Sequence, residues 1–267
     1  IPAFIDQVTG DARQNKPSIK IHPGEDGDAD VAIVYDGLVR AIQNESNADF
    51  AYDSAVENTA NFGFGAWRVK TDYESEDSFN QVLLIERIAD PLSVYFDKNS
   101  QQPDYSDARH VTVKVKVTKD EYKERWKGQT ESAYNFDDFK SDWAVDKDQV
   151  VVAEHWYKTE ESATLYALAD AEGNVTTSLE MIDGMVVVQQ RQTNITKVKM
   201  CYVSGGGILE EKEWAGKILP IVGVNGKEDL VDGKRTLRGI VRFAKDPQRM
   251  YNYWRTIDTE QKALAPK

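Results

Sequence analysis

The sequence predicts an α+β fold in which N-terminal helices precede a largely antiparallel β-sheet and a helix closes the chain. Three observations support this fold class. Apolar residues recur every three or four positions up to residue 62, alternate with polar residues between residues 66 and 224, and return to helical spacing after residue 247. Helices and strands are therefore separated along the chain.

The N-terminal part is expected to be helical, with one short strand. Residues 1–15 (IPAFIDQVTGDARQN) are typical of the end of a helix, and 17–24 (PSIKIHPG) of a strand stopped by a Pro-Gly pair. Asp28 or Asp30 can cap a second helix, whose apolar residues follow the spacing i, i+3, i+7 and i+11: Val31, Val34, Leu38 and Ile42. The segment 47–62 continues with helical spacing.

The central part is expected to form strands, since its periodicity is two. A hairpin is expected at 169–175, and a short helix after Thr118, with Glu121 completing a capping box. The acidic, aromatic segment 132–149 is expected to be a loop or insertion. Strands are predicted at 66–74, 81–88, 92–97, 108–118, 150–158, 185–192, 196–203 and 218–224.

The closing segment has the pattern of an amphipathic helix. Asp246 can be its N-cap and Pro247 its first residue. An apolar stripe then follows, formed by Met250, Trp254, Ile257 and Leu264. Two interpretations remain open: an ordinary surface helix, or a helix that exposes a charged face to a partner or a channel. On that charged side lie Arg255 and Lys262, with Arg249 on its flank.

The glycines of NTANFGFGAWRV raise the question of a phosphate-binding loop. Such loops run from a strand through glycines into a helix, so that phosphate meets the positive end of the helix dipole. Here Gly63 and Gly65 follow a helix and precede a strand. We therefore expect a helix C-cap, and no nucleotide cofactor. The run Gly205–Gly207 is expected to be a hairpin loop.

Residues that carry catalytic or metal chemistry are few and scattered, so no catalytic residue and no metal ligand is assigned. The lone Cys201 lies in a strand pattern without an assignable base. The three histidines form no HxxH pair and are expected to be structural: His22, His110 and His155. A cation site remains open at one acidic segment, although its spacing matches no EF-hand: Asp97, Asp104 and Asp107.

The charge is unevenly distributed along the chain. The net charge is −12, with +6 after residue 233 and therefore −18 before it. An acidic body argues against tight binding to nucleic acid. No signal peptide and no apolar run of about 20 residues are present, and the single cysteine fits a reducing compartment. The chain starts without Met, so a fragment or a processed product is expected.

Five blocks of the sequence resemble, in this order, the portal proteins of short-tailed double-stranded DNA phages. The blocks are QVTGDARQNKPSIKIHP, AVENTANFGFGAWRVKTDY, SDARHVTV, ILPIVGVNG and GIVRFAKDPQRMYNYWRTIDTEQKALAPK. The resemblance implies a subunit of a ring, usually dodecameric, through which DNA is packaged and ejected at one capsid vertex. It also implies a virion protein, assembled in the bacterial host cytoplasm, that is neither an enzyme nor a membrane protein.

On the portal template, residues 1–233 are expected to be a wing-like α+β domain. Residues 234–267 are expected to be a basic segment and the start of a stem helix, with the clip, second stem helix and crown missing. Implied partners are further copies of the chain, terminase, head–tail adaptor proteins, capsid protein and non-specifically passing DNA. Alternatives are a carboxylate-pair hydrolase and another phage head–tail adaptor. The candidate channel-facing residues are Arg249, Arg255 and Lys262.

Overall fold

The computed structural model of the chain describes residues 2–16, 18–24, 28–129, 149–170 and 175–265. The helices are α1 Pro2–Gln14, α2 Ala29–Glu45, α3 Ala48–Phe62, α4 Lys119–Arg125 and α5 Ile240–Leu264. The strands are β1 Phe64–Tyr73, β2 Gln81–Arg87, β3 Val94–Phe96, β4 His110–Thr118, β5 Gln149–Ala169, β6 Val175–Ser178, β7 Val186–Ser204, β8 Gly207–Trp214, β9 Ile221–Asn225, β10 Lys227–Val231 and β11 Lys234–Arg238. The pairings in which β1, β5, β7 and β10 take part are antiparallel. The predicted α+β class is confirmed.

The chain forms two compact units. The first contains residues 1–94, 99–107 and 220–267, and the second contains residues 95–98 and 108–219. The C-terminal helix α5 therefore belongs to the same unit as the N-terminal helices.

The first unit is built around a three-stranded sheet with the order β2-β1-β9. Helix α3 lies against β1 and β2, and it also contacts α1, α2 and α5. Its buried face is made of alanines, namely Ala48, Ala51, Ala55 and Ala60. A Cβ on Gly65 would lie 2.0 Å from the Ala55 carbonyl oxygen. Small side chains therefore let the helix backbone contact the strand directly.

The second unit is built on a sheet with the order β3-β4-β5-β7-β8, with β6 paired to the end of β5. Helix α4 begins at Thr118 with the predicted capping box, in which Glu121 contributes the second half. Behind it, Tyr122 and Trp126 pack against Val150 and Val152 in a buried cluster. The cap therefore sets where the helix starts, and the two aromatic rings attach it to the sheet.

Several local predictions are confirmed. Asp28 is the N-cap of α2, and its carboxylate accepts a hydrogen bond from Asp30 N. Strands β5 and β6 on either side of the predicted hairpin pair antiparallel, with Ala169 opposite Val175, and residues 171–174 of its turn lie outside the described residues. The glycine run is the turn between β7 and β8, where Ser204 pairs with Gly207. The acidic, aromatic segment 132–149 lies outside the described residues, except for Gln149.

Other predictions are wrong. Within 18–24 the described residues form no strand, and no neighbouring strand is paired with them. The two strands predicted at 185–192 and 196–203 are one strand, β7. In α2 the predicted apolar stripe is not the buried face: Val31, Val34 and Leu38 are exposed, and Ala32 is buried.

Candidate functional site

Helix α5 carries the candidate channel-facing residues, and it starts earlier than the sequence predicts. Its N-cap is Gly239, and Pro247 lies inside the helix rather than at its first position. Asp246 is therefore a helical residue and not the N-cap. The prediction was wrong because a local start signal at 246–247 was outweighed by the tertiary contacts that hold the chain at Gly239.

A junction of three glycines, which we call the glycine junction, holds the start of α5. It consists of Gly63, Gly226 and Gly239. A Cβ on Gly239 would lie 2.6 Å from the Ala60 carbonyl oxygen, and one on Gly63 would lie 2.7 Å from the Arg238 carbonyl carbon. Gly226 N donates a 2.9 Å hydrogen bond to the Gly63 carbonyl oxygen. The end of α3, the start of β10 and the start of α5 thus meet by backbone contact.

The role predicted for Gly63 is confirmed. It is the C-cap of α3, with a left-handed φ of 89°, and its N–H bonds the Thr59 carbonyl oxygen. An anion at this position would meet the negative end of the α3 dipole. The C-terminal end of α3 at Gly63 therefore has the wrong polarity for a phosphate site, and the glycine junction is an anchor for α5.

The three candidate cations of α5, Arg249, Arg255 and Lys262, are exposed, and two of them converge. Arg255 lies 3.9 Å and Lys262 lies 2.7 Å from the same carboxylate oxygen of Asp258. Arg249 is placed apart from them, with its guanidinium 3.8 Å from Asp246. The predicted common side for Arg255 and Lys262 agrees with their shared partner. Each positive charge therefore has a carboxylate beside it.

The remainder of α5 presents large side chains to solvent. None of its residues is buried. The predicted apolar stripe includes Met250, Trp254 and Leu264, all of which are exposed. The half-buried positions near its start are Ile240, Val241, Ala244 and Gln248, so α5 is held mainly by its first turns. Two further cations, Arg242 and Lys245, belong to the turns that the sequence did not predict as helix.

The histidines and the cysteine lie on or near one sheet of the second unit, apart from the exposed His22. The His155 Nδ1 lies 2.8 Å from Thr112 Oγ1, and its ring is 5.7 Å from that of His110. Burial, and then the nearby His110, lowers the pKa of His155. Cys201 is buried, and burial raises the pKa of its thiol. The first shift keeps His155 neutral, and the second keeps Cys201 as a thiol, which is less nucleophilic than a thiolate.

The acidic residues proposed for a cation act as turn caps. Asp107 accepts hydrogen bonds from Ser100 Oγ and Gln101 N, and these bonds lower its pKa. Asp104 accepts from Ser106 N. Asp97 belongs to the second unit and accepts from Arg109 N. Over the part of the chain that the structure describes, no group of three or more His, Cys, Asp or Glu residues could hold a metal ion.

Across the described helices, none is both long enough and apolar enough to cross a membrane. The surface of α5 offers exposed, partly neutralised cations and aromatic rings. Such a surface can make weak, salt-sensitive contacts with a polyanion, without reading bases.

Two comparisons with known proteins address the identity of the chain. The family model described as phage P22-like portal protein matches residues 1–267. A portal protein of Acyrthosiphon pisum secondary endosymbiont phage 1 is 25% identical over 94% of this chain, which spans 38% of that relative's length. A match over every residue agrees with the resemblance read from the five sequence blocks. The chain belongs to the phage P22-like portal protein family.

Proposed function

We propose that the chain is part of a portal subunit, and that the full-length protein forms a ring-shaped conduit for double-stranded DNA at one capsid vertex. The match of the portal family to residues 1–267 carries this proposal. In the proposed assembly the partners are further copies of the chain, terminase, head–tail adaptors and capsid protein. The ring is a virion component, assembled in the host cytoplasm.

The charge pattern of the chain supports a conduit rather than a DNA-binding protein. Residues 1–233 carry −18, and the cations of α5 that follow them are exposed. Because each of Arg249, Arg255 and Lys262 has an Asp within 4 Å, its attraction for phosphate is reduced. A wall that neutralised phosphates strongly would hold DNA at every step of its passage. Weak contacts are what translocation requires.

In this proposal residues 1–233 form the wing and residues 234–267 form the approach to a stem helix. The three cations of α5 then line the channel or lie close to DNA. The hydrolase alternative has no supporting observation, since the portal family is structural. The adaptor alternative likewise has none.

The test replaces Arg249, Arg255 and Lys262 by Gln in the full-length protein. Rings should assemble as in the wild type, because these side chains are exposed and bind only residues of their own helix. The amount of DNA packaged, or the rate of its ejection, should change. A matched control replaces three exposed, ion-paired cations elsewhere, namely Arg13, Arg40 and Lys212. Normal packaging and ejection by the α5 variant would refute the assignment of these residues.

A further inference from the structure

The second unit contains a two-stranded ribbon with two uncovered edges. Strand β4 pairs with β5 only over Gln149–Tyr157, and β8 pairs with β7 only over Val198–Ser204. The pairing of β5 with β7 continues for another dozen residues, as far as Ala169 and Val186. We call the part formed by Thr159–Ala169 and Val186–Lys197 the outer ribbon. Each strand of about 12 residues extends ~40 Å.

The uncovered edges can be located residue by residue. On β5 the edge runs from Thr159 to Leu165, because β6 covers Tyr166–Ala169. On β7 it runs along Val186–Lys197, where no further strand is paired among the described residues. The two edges lie on opposite sides of the ribbon.

The backbone groups that point outward follow from one hydrogen bond. Lys158 N donates to the Arg109 carbonyl oxygen at 2.8 Å, so Lys158 directs its backbone groups away from β7. Along an antiparallel strand, the backbone N–H and C=O groups of successive residues point to opposite sides. In a pair of directly opposed residues, the backbone groups of both residues point either toward each other or away from each other. From Lys158 to Tyr166, before the register shift at Ala167/Leu168, the opposed pairs join even-numbered residues to even-numbered residues. The outward residues are therefore Glu160, Ser162 and Thr164 on β5, and Gln190, Gln192, Asn194 and Thr196 on β7.

The outer ribbon has one register shift, between Ala167 and Leu168, but its free edges are long and contain no proline. Its β7 edge, VVVQQRQTNITK, contains no Pro, and only Arg191 and Lys197 are charged. Val186 and Val188 are 71% and 61% exposed. Along both edges the outward N–H and C=O groups have no strand partner among the described residues, so each edge can accept another strand.

We infer that the β7 edge of the outer ribbon pairs with the β5 edge of the outer ribbon in a second copy of the chain. The inference rests on the proposed ring. In a cyclic ring, one surface of each subunit contacts a different surface of the next subunit. The strands of every ribbon then have the same orientation relative to the ring axis. Since β5 and β7 are antiparallel within a copy, β7 meets the β5 of its neighbour in antiparallel orientation.

The faces and charges of the two edges also match. The outward residues on both edges are even-numbered, and the opposed pairs within the ribbon place even-numbered residues on one face. When a second copy is added, its even-numbered residues therefore lie on the same face of the extended sheet as those of the first copy. On the other face Arg191 forms no ion pair with another described residue, and the oppositely charged Glu161 of the neighbouring copy can approach it while contacting Lys197 and Lys199 of its own chain. Closure of such a ring of ribbons removes every edge.

The inference is tested on full-length wild-type protein by hydrogen exchange, comparing rings with isolated subunits. The outward amides of Gln190, Gln192, Asn194 and Thr196 should exchange at least about tenfold more slowly in the ring. Val198–Ser204 is the internal control, because β5 and β8 already cover it in one subunit. Equal exchange of the four outward amides in both states would overturn the inference while leaving the proposed conduit intact. Protection that appears only when other virion proteins are added would overturn the second copy as the occupant.

A pair of variants tests the same contact from the β7 edge. Asn194→Pro removes one outward N–H and leaves the inward bonds of Thr193 and Ile195 in place. The subunit should fold, and each contact should weaken about tenfold or more, since one buried carbonyl loses its donor. Asn194→Ala is the matched control and should form rings normally. Wild-type protein that forms no ring refutes both proposals, whereas normal rings of folded Asn194→Pro refute only this one.

Discussion

Replacing Gly63 by Ala should destabilise the first unit by two separable effects. The first is backbone strain, because an L-residue at φ +89° costs about 1–2 kcal/mol. The second is steric overlap. The new Cβ would lie 2.7 Å from the Arg238 carbonyl carbon and 2.8 Å from the Gly239 nitrogen. Optimal separations are about 3.5–4.0 Å, so the backbone of the glycine junction must move apart.

The size of the overlap effect follows from the atoms involved. All the nearest atoms belong to the backbone, so no flexible side chain can move aside. Overpacking of a rigid site costs about 1–3 kcal/mol. The total loss for Gly63→Ala is therefore about 2–5 kcal/mol.

Gly233→Ala is the control that separates the two effects. Gly233 also has a positive φ, of +71°, but a Cβ there would meet nothing within 4 Å. Gly233→Ala should therefore lose only the stability that backbone strain costs, without a loss from steric overlap. Each kcal/mol lowers Tm by about 2–4 °C in a domain of this size, so Gly63→Ala should melt ~2–12 °C below Gly233→Ala. Equal melting temperatures of the two variants would refute the close contact at the glycine junction.

Three further predictions concern acid, thiol and ligand chemistry. Hydrogen bonds from the Thr118 backbone N–H, and then from the Thr118 hydroxyl, lower the pKa of Glu121 below its usual 4.5. The wild type should therefore be more stable than Glu121→Ala by a full, constant amount above that pH, and this difference should vanish as the pH falls through the lowered pKa. A stability difference that does not depend on pH in denaturation curves would contradict the capping box. Buried Cys201, whose thiol pKa is raised by burial, should react slowly with a thiol reagent at neutral pH and rapidly in denaturant; immediate reaction of folded protein would be inconsistent with its burial. Saturating ATP, NAD or Mg²⁺ should leave Tm unchanged, and a shift abolished by Gly63→Val would show that a phosphate site exists after all.

Local chemistry could be predicted from the sequence. The cap at Asp28, the capping box of Thr118 and Glu121 and the C-cap at Gly63 were all predictable, because each depends on residues within four positions of one another. The α+β class was predictable for the same reason, since periodicity is a local property.

Which face of an element is buried depends on distant residues. The spacing of Val31 and Val34 predicts a buried stripe on α2, yet the buried residue is Ala32. Helices pack closely in this unit by small side chains, as the alanines of α3 show, and the helical spacing of Ala51 and Ala55 was visible in the sequence. For the candidate site, the spacing of Arg255 and Lys262 was informative. The contact of both cations with Asp258, three residues after Arg255 and four before Lys262, was not predicted.

The position of Pro247 has a mechanical consequence for α5. Proline has no backbone N–H, so the Phe243 carbonyl lacks its usual partner four residues later. Asp246 and Pro247 are also the residue types that begin a helix. A bend between them would break fewer hydrogen bonds than a bend elsewhere and would leave 247–264 with a cap of its own. The bending stiffness of α5 is therefore lowest at this point, and the helix can change direction there without unfolding either part.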